Sequence, residues 1–211
     1  MKKKVTIVDY GLGNIVSAQQ SFLKVIFDNK IEADVCISDD PQIIRESTHI
    51  VLPGQGAFKS CMNGLANKSG LIESLEDCVI VKKKPFLGIC VGMQLIAEYG
   101  YENGRHKGLG WIKGSIKKIK VENLKLPHMG WNNIKLIDNS FKMNFSTKKN
   151  DFYFVHSYFF DCFDKANIAA LTNYGSDFPS IVAKENIYGV QFHPEKSSNQ
   201  GLQLIKSFLL L

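Results

Sequence analysis

Residues 85–94 read PFLGICVGMQ, and this segment is the strongest indication of the fold. An apolar run leads into Cys90, which has a glycine two residues before it and another two residues after it, and a helical pattern follows. This order is typical of a nucleophile elbow, in which small flanking residues relieve the crowding at a sharp strand-to-helix turn. The N-terminus of the helix would lower the pKa of the thiol and offer free N–H groups. A buried cysteine in a glycine-lined turn is the alternative interpretation.

Strands and helices alternate on the N-terminal side of this elbow. Apolar runs at 5–8, 33–37, 49–52 and 85–89 predict strands, and helical patterns at 15–26, 41–46 and 57–80 separate them. We expect a helix of about ten residues after Cys90. Alternation of this kind predicts an α/β fold with a doubly wound, largely parallel sheet.

From about residue 110 the pattern changes to short segments that resemble strands, separated by Gly, Asn, Asp and Pro. We expect antiparallel strands that extend the parallel sheet. No repeat, low-complexity tract or linker interrupts the sequence, which therefore predicts one domain over residues 1–211. The predicted strands cover 111–112, 115–121, 131–137, 151–158, 169–172, 180–184 and 188–192, and an amphipathic helix over 199–211 follows them.

Composition excludes several classes of protein. The 211 residues are 45% hydrophobic and 22% charged, which is ordinary for a soluble globular chain. The five cysteines include no C-x-x-C pair, so neither a zinc ribbon nor a disulfide framework is expected, and a reducing cytoplasm fits best. The longest apolar-rich run, 85–97, is too short to span a membrane.

The net charge of +6 comes mainly from lysines that are spread along the chain. Only Arg45 and Arg105 offer the forked guanidinium suited to reading nucleic acid. Nucleic-acid binding would also need a basic stripe with interleaved aromatic residues, and we do not expect it. A solvated lysine surface, or one face directed at an acidic partner, explains the charge. The turn at 11–13 lacks the third glycine of a dinucleotide fingerprint, so NAD binding is rejected.

Two further segments could complete a site around the Cys90 thiol. His193 and Glu195 flank Pro194, and in an extended segment both side chains point the same way, so that the carboxylate can orient the imidazole. The PGQG loop at 53–56 follows a predicted strand, and its glycines let backbone N–H groups face an oxyanion. Each segment alone could be an ordinary turn. Together, at the C-terminal edges of strands, they predict acyl transfer or hydrolysis through a thioester.

These motifs resemble those of the class I (triad) glutamine amidotransferases. Additional motifs resemble one subfamily, the glutaminase subunits of imidazole glycerol phosphate synthases, and the resemblance runs from about residue 5 to the C-terminus. It implies a class I glutamine amidotransferase-like fold, L-glutamine as substrate, and neither cofactor nor metal. The motifs, in order, are DYGLGN (9–14), PGQGAF (53–58), PHMGWN (127–132), YFVHSY (153–158) and HPEKS (193–197).

The resemblance assigns catalytic roles residue by residue. Cys90 would attack the carboxamide of glutamine, His193 would move the proton, and Glu195 would orient His193. The N–H groups of Gln55 and Val91 would form the oxyanion hole, with the Gln55 peptide turned away until the partner binds its ligand. The residues that match the glutamine-binding positions are Gly56, Gln94, Glu102, Ser157 and Tyr158.

The resemblance also implies a partner. In the family, a (β/α)8-barrel cyclase forms a heterodimer with the glutaminase and receives its ammonia for histidine biosynthesis in the cytoplasm. Ordinary core packing remains an alternative for Trp131 and Tyr153, and a solvated lysine for Lys196. The positions that match the partner interface or ammonia gate are Asn14, Trp131, Asn132, Tyr153 and Lys196.

Three other functions stay open at this stage. A paralogous subunit would keep the same triad and supply ammonia for surface-polysaccharide sugar biosynthesis. A non-catalytic binding subunit would keep the fold, although the intact triad argues against it. A stand-alone cysteine hydrolase or peptidase would be active without a partner, and it gives the motifs at 128–132 and 153–158 no role.

Overall fold

The computed structural model describes residues 2–137, 143 and 150–211. Its strands, in chain order, are β1 (Lys3–Val8), β2 (Ala33–Ser38), β3 (His49–Gly54), β4 (Phe86–Cys90), β5 (Tyr99–Gly100), β6 (His106–Lys107), β7 (Gly114–Lys118), β8 (His128–Asn133), β9 (Lys135–Leu136), β10 (Asp151–His156), β11 (Tyr158–Cys162), β12 (Ile168–Asn173), β13 (Asp177–Lys184) and β14 (Ile187–Val190).

The helices lie mostly between the strands of the N-terminal half. A π-helical segment, Asp77–Val81, and two 3-10 turns, Lys165–Asn167 and Pro194–Lys196, complete the helical structure of the described residues. The α-helices are α1 (Ile15–Asn29), α2 (Pro41–Glu46), α3 (Phe58–Ala66), α4 (Leu71–Glu76), α5 (Val91–Leu95) and α6 (Ser198–Leu209).

The central sheet has eight strands in the order β2-β1-β3-β4-β14-β13-β12-β9. Pairs from β2 across to β14 are parallel, whereas β13, β12 and β9 continue the sheet with antiparallel pairs. The predicted fold class, a largely parallel α/β sheet extended by antiparallel strands, is confirmed. Both β3 and β4 are buried at every position, which explains why they are continuous apolar runs rather than alternating patterns.

Packing between the two long helices closes one side of this core. The rings of Phe22 in α1 and Phe208 in α6 meet edge to face with their centroids 6.2 Å apart. His49 of β3 also packs on Phe208. The helices therefore cover the sheet with side chains that are fully buried. No helix among the described residues has the length and apolar character needed to cross a bilayer.

The helix after Cys90 is shorter than expected. It ends at Leu95 because a later segment takes over its free carbonyl groups: the N–H groups of Leu109, Trp111 and Ile112 donate to the carbonyl oxygens of residues 95 and 96. The strand predicted at 111–112 is therefore wrong, since these N–H groups cap a helix instead of joining a ladder.

The second half divides into more sheets than expected. Of the strands in the described part of this half, β9, β12, β13 and β14 join the central sheet, whereas β8 and β10 form a separate pair, and β7 and β11 belong to a third sheet with β5 and β6. The strand predicted at 151–158 is two strands, because the chain breaks its ladder at Ser157 and changes partner. The one predicted at 131–137 begins earlier, at His128, and is interrupted at Ile134. The one predicted at 115–121 ends at Lys118.

Candidate functional site

Cys90 sits on a strained turn between β4 and α5. Its φ of 55° and ψ of −112° lie outside the regions that L-residues normally adopt. The flanking glycines are needed for space: a Cβ on Gly88 would lie 2.6 Å from the carbonyl oxygen of Gly92, and a Cβ on Gly92 would collide with the carbonyl oxygen of Leu52. The sequence G-x-C-x-G therefore folds as the elbow that it predicts.

A cavity of about 270 Å³ opens beside the Cys90 side chain. It collects every residue predicted for catalysis, oxyanion binding or glutamine binding, apart from Glu195, which stands behind His193. A larger cavity, about 630 Å³ around Trp111 and Lys184, lies at the opposite end of β4 and contains no candidate nucleophile. The smaller cavity is lined by Gln55, Gly56, Cys90, Val91, Gln94, Glu102, Pro127, Val155, His156, Ser157, Tyr158, His193 and Lys196.

His193 and Glu195 form a buried pair. His193 Nδ1 lies 2.8 Å from Glu195 Oε1, and the two side chains are only 6% and 3% exposed. The expected extended segment is only partly present: His193 has extended backbone angles, but Pro194–Lys196 forms a 3-10 turn. Proline suits the first position of such a turn, and the turn brings the carboxylate to the imidazole.

The His193 imidazole favours its charged form. Burial opposes the charge, but the nearby Cys90 sulfur and the hydrogen-bonded Glu195 carboxylate outweigh it and raise the pKa of His193 to about 10. Within the described residues, His193 Nε2 is buried without a hydrogen bond. The Cys90 thiol instead donates weakly to the Val155 carbonyl at 3.9 Å and accepts from Gln191 Nε2 at 3.8 Å.

The PGQG loop packs directly on the elbow. A Cβ on Gly54 would lie 2.5 Å from the backbone nitrogen of Gly92. The Tyr10 hydroxyl donates to the Pro53 carbonyl at 2.8 Å, and the Cys61 thiol donates to the Gln55 carbonyl at 3.5 Å. Two carbonyl groups of this loop are thereby fixed, and the loop lines the cavity together with Val91, as two sources of oxyanion N–H groups must.

Two of the five candidates for glutamine binding, Gln94 and Glu102, already make side-chain hydrogen bonds. Gln94 Nε2 donates to the Tyr158 carbonyl and to Gln191 Oε1, both at 3.1 Å. Glu102 Oε2 accepts from the backbone N–H of Phe58 at 2.8 Å, so this carboxylate also caps the start of α3. Sequence reasoning did not find the capping contact, because it joins residues that are 44 positions apart.

The side chains of three residues have a place in this site that was not predicted from the sequence. Gln191 bonds both Gln94 and the thiol, and it stands two residues before His193. His128 and His156 form a buried imidazole pair at the cavity wall, with His128 Nδ1 lying 2.9 Å from His156 Nε2. Both belong to the quoted motifs at 127–132 and 153–158, which was the available signal.

Three of the five candidates for the partner interface lie together. Trp131 is 56% exposed, so core packing is the wrong interpretation for this residue. Its ring meets Tyr153 edge to face at 6.1 Å, and Lys196 Nζ lies 6.0 Å from the centre of the Tyr153 ring. Asn132 turns inward to bond His128 and the Asn173 carbonyl, and Asn14 precedes α1 without a capping hydrogen bond from its side chain.

The described part of the chain offers no obvious metal site. No group of three or more His, Cys, Asp or Glu side chains there is placed to hold a metal ion. The cavity is lined by a thiol, by an imidazole with its carboxylate behind it, and by the PGQG loop, and the thiol and imidazole together suit covalent acyl chemistry.

Comparison with known proteins gives a consistent family. Residues 7–211 match the model of the family "Glutamine amidotransferase class-I". The "Imidazole glycerol phosphate synthase subunit HisH" of Pelagibacter ubique is 48% identical over 98% of this chain and 99% of the relative. The corresponding protein of Rhodospirillum rubrum is 41% identical, with 98% of each chain covered. HisH 2 of Methanococcus maripaludis is 44% identical over 97% of this chain and 98% of the relative.

Solved structures share the fold at lower identity. A structure described as a glutamine amidotransferase superposes with a TM-score of 0.68 at 14% identity, and 97% of each chain is covered. A glutamine amidotransferase from Thermotoga maritima superposes with a TM-score of 0.61 at 17% identity, covering 92% of this chain and 77% of that one.

Proposed function

This chain belongs to the class-I glutamine amidotransferase family and, within it, to the HisH subunits of imidazole glycerol phosphate synthase, and on that premise we propose how it releases ammonia. The whole chain acts as one glutaminase domain that hydrolyses glutamine through a thioester on Cys90. The observation that carries this proposal is the convergence of Cys90 and the His193–Glu195 pair on one cavity.

The chemistry divides into two acyl-transfer steps. The proton of the Cys90 thiol passes to His193 Nε2 in the charged pair that Glu195 favours, and the resulting thiolate sulfur adds to the carboxamide carbon of glutamine. His193 then gives that proton to the nitrogen, the C–N bond breaks, and ammonia leaves a glutamyl thioester. Water, deprotonated by His193, cleaves the C–S bond to give glutamate and restore the thiol. Glu195 holds Nδ1–H throughout and stabilises the charged imidazole.

Backbone donors stabilise the oxyanion of both tetrahedral intermediates. Val91 supplies the N–H that follows the nucleophile, and Gln55 supplies the second from the PGQG loop. Support comes from the close packing of this loop on the elbow and from the presence of both residues in the cavity wall. The substrate itself is held by Gly56, Gln94, Glu102, Ser157 and Tyr158.

A second protein chain receives the ammonia. The HisH relatives are named as subunits of a synthase, and the partner we propose is a (β/α)8-barrel cyclase that uses the ammonia for histidine biosynthesis. The docking face includes the exposed side chains of Met129 and Trp131, which are 62% and 56% exposed, together with Tyr153 and Lys196. Large exposed apolar side chains near a cavity mouth are typical of such a face.

Glutamate release from glutamine tests the proposal. The purified chain is assayed alone, and again with the barrel cyclase of the same organism and its ribotide substrate. We expect little activity alone and a large rise in the complex. A rise only with a barrel from a surface-sugar cluster would move the protein to that pathway, and strong activity without any partner would contradict a role as one half of a synthase.

Cys90→Ala separates the chemistry from the assembly. We expect glutamine-dependent turnover of the complex to fall by about six orders of magnitude, as in dissections of other catalytic triads. Ammonia-dependent synthesis should remain, because the partner carries out that reaction. Cys162→Ala, at a buried cysteine on β11, is the matched control and should change neither rate. Equal loss of both activities in Cys90→Ala would make Cys90 a structural residue.

A further inference from the structure

A continuous chain of hydrogen bonds runs from β8 to the cavity. Asn132 Nδ2 lies 3.1 Å from His128 Nε2, and His128 Nδ1 lies 2.9 Å from His156 Nε2. His156 Nδ1 lies 2.8 Å from the carbonyl oxygen of Tyr158, which also accepts from Gln94 Nε2 at 3.1 Å. The chain therefore ends on a side chain that lines the cavity.

The position of each proton in the pair follows from the neighbouring groups. A carbonyl oxygen only accepts, so His156 carries its proton on Nδ1 and leaves Nε2 bare. That bare nitrogen accepts from Nδ1–H of His128, and His128 Nε2 in turn accepts from the amide of Asn132. All four ring nitrogens are used, and both rings are neutral.

Burial keeps them neutral. It lowers the pKa of His156 to about 3 and the pKa of His128 to about 4. A proton added to either ring would set two N–H groups against each other in the chain. Near neutral pH the chain therefore has a single arrangement of donors and acceptors.

The same chain determines how the Gln94 amide is oriented. Its Nε2 donates to the Tyr158 carbonyl and to Gln191 Oε1, which uses both of its protons. The Oε1 atom is then the end of the amide left to accept from a bound molecule. If the Tyr158 carbonyl moved, the amide would lose one of the two contacts that fix this orientation.

This inference rests on the proposed glutaminase function. We propose that His128 and His156 are positioning residues for glutamine binding, which hold the Tyr158 carbonyl and so present the Gln94 amide oxygen to the substrate. Packing against the neighbouring rings does not by itself explain why position 128 is a histidine. His128 stacks between Phe154 and Tyr174, with centroids at 4.9 Å and 4.1 Å, and phenylalanine would fill that space without buried nitrogen atoms.

Paired variants of His156 in the complete, ligand-activated complex test the proposal. His156→Phe removes the donor to Tyr158, whereas His156→Asn places an amide N–H near the position of Nδ1. We expect His156→Phe to raise KM for glutamine about tenfold, as the loss of one well-placed hydrogen bond would. His156→Asn should restore most of that loss.

Two controls separate positioning from general damage. Alkylation of Cys90 by iodoacetamide reports on the nucleophile without using the Gln94 amide, and its rate should be unchanged in His156→Phe. His49→Phe replaces another buried imidazole, one that packs on Phe208 outside this cavity, and should leave KM unchanged. Equal KM values in His156→Phe and wild type, or equal losses in the Phe and Asn variants, would overturn the proposal.

A spectroscopic readout covers the case in which the Phe variant fails to fold. Two-bond ¹H–¹⁵N correlations of the wild-type histidines should show the Nδ1–H tautomer for both His128 and His156 at pH 7. An Nε2–H tautomer or an imidazolium at either residue would overturn the proposal. A wild-type complex that does not hydrolyse glutamine would overturn the proposed function and this inference with it, whereas normal wild-type turnover with an unchanged variant KM overturns only the inference.

Discussion

Two buried imidazole sites in the wall of one cavity favour opposite charge states. His193 faces a carboxylate and a thiol, and its pKa is raised. His156 faces a neutral imidazole and a carbonyl oxygen, and its pKa is lowered. Burial disfavours the charged ring at both sites, so the group that meets each ring nitrogen decides the outcome.

The difference separates a site for proton transfer from a site for positioning. A ring that carries a proton between atoms needs a partner that stabilises its positive charge, and Glu195 provides one. A ring that holds a carbonyl in place needs a fixed tautomer, which the partners of His156 provide. One residue type thus fills two roles a short distance apart.

The largest effect on glutamine hydrolysis should come from removing the Glu195 carboxylate, which gives His193 a charge state opposite to that of His156. In Glu195→Gln the amide can still accept from Nδ1–H, but it supplies no charge, and the pKa of His193 should fall because the ring loses a negative charge that opposes the effect of burial. We expect kcat for glutamine hydrolysis in the complex to drop by about four orders of magnitude. Steady-state kinetics measure this, with Glu185→Gln, at an exposed carboxylate paired with Lys83, as the control. A kcat close to wild type would show that His193 needs no charged partner.

The free energy of unfolding should depend on pH through both kinds of buried histidine, those with a lowered pKa and the one with a raised pKa. The folded pKa values of His49, His128 and His156 are lowered to about 4, 4 and 3, so below the unfolded pKa of about 6.5 the unfolded chain binds more protons. Their contribution is lost as the pH falls from 7 towards 4, by at most about 1.4 kcal/mol for each residue and pH unit. The raised pKa of His193 acts in the opposite sense: its contribution is complete below about pH 6.5 and declines as the pH rises towards 10.

Urea denaturation between pH 5 and pH 9 checks this expectation. The free energy of unfolding should be greatest near neutral pH and fall on both sides. His49→Phe removes one titrating group, so it should flatten the acid side and leave the alkaline side unchanged. A wild-type stability that does not change between pH 7 and pH 5 would contradict the neutral state of the three rings.

Of these variants, Lys196→Ala should have the smallest effect on glutamine hydrolysis. The side chain is exposed beside Glu195, and an exposed charge is well screened, so glutamine hydrolysis should barely change. The ammonia incorporated per glutamate released should fall if Lys196 gates its transfer. Parallel assays of both products measure this ratio, with Lys107→Ala on β6 as the exposed control. An unchanged ratio would exclude the gate.

The parallel half of the fold could be predicted because its signals are local. Each buried strand is a continuous apolar run, and the elbow and the PGQG loop are contiguous motifs that already contain their reacting groups. The spacing of His193 and Glu195 also predicted that their side chains lie close together. It did not predict the 3-10 turn that brings them together.

The remaining features depend on contacts between distant residues. The pattern after residue 110 marks strands but cannot tell which of three sheets each one joins. The length of α5 is set by a segment fourteen or more positions later, and the His128–His156 bond spans 28 positions. No periodicity in a single sequence records pairings of this kind.

The glycines of the elbow have a consequence for how the protein can be altered. Cys90 points its side chain into a cavity, so a serine or alanine fits in the space that the thiol already occupies, whereas any side chain at Gly88 or Gly92 meets a backbone carbonyl group. The turn therefore tolerates substitution best at the residue that reacts, Cys90. The two glycines that take no part in the chemistry cannot be replaced without a steric clash. Evolution or design could change the nucleophile here far more readily than the frame that holds it.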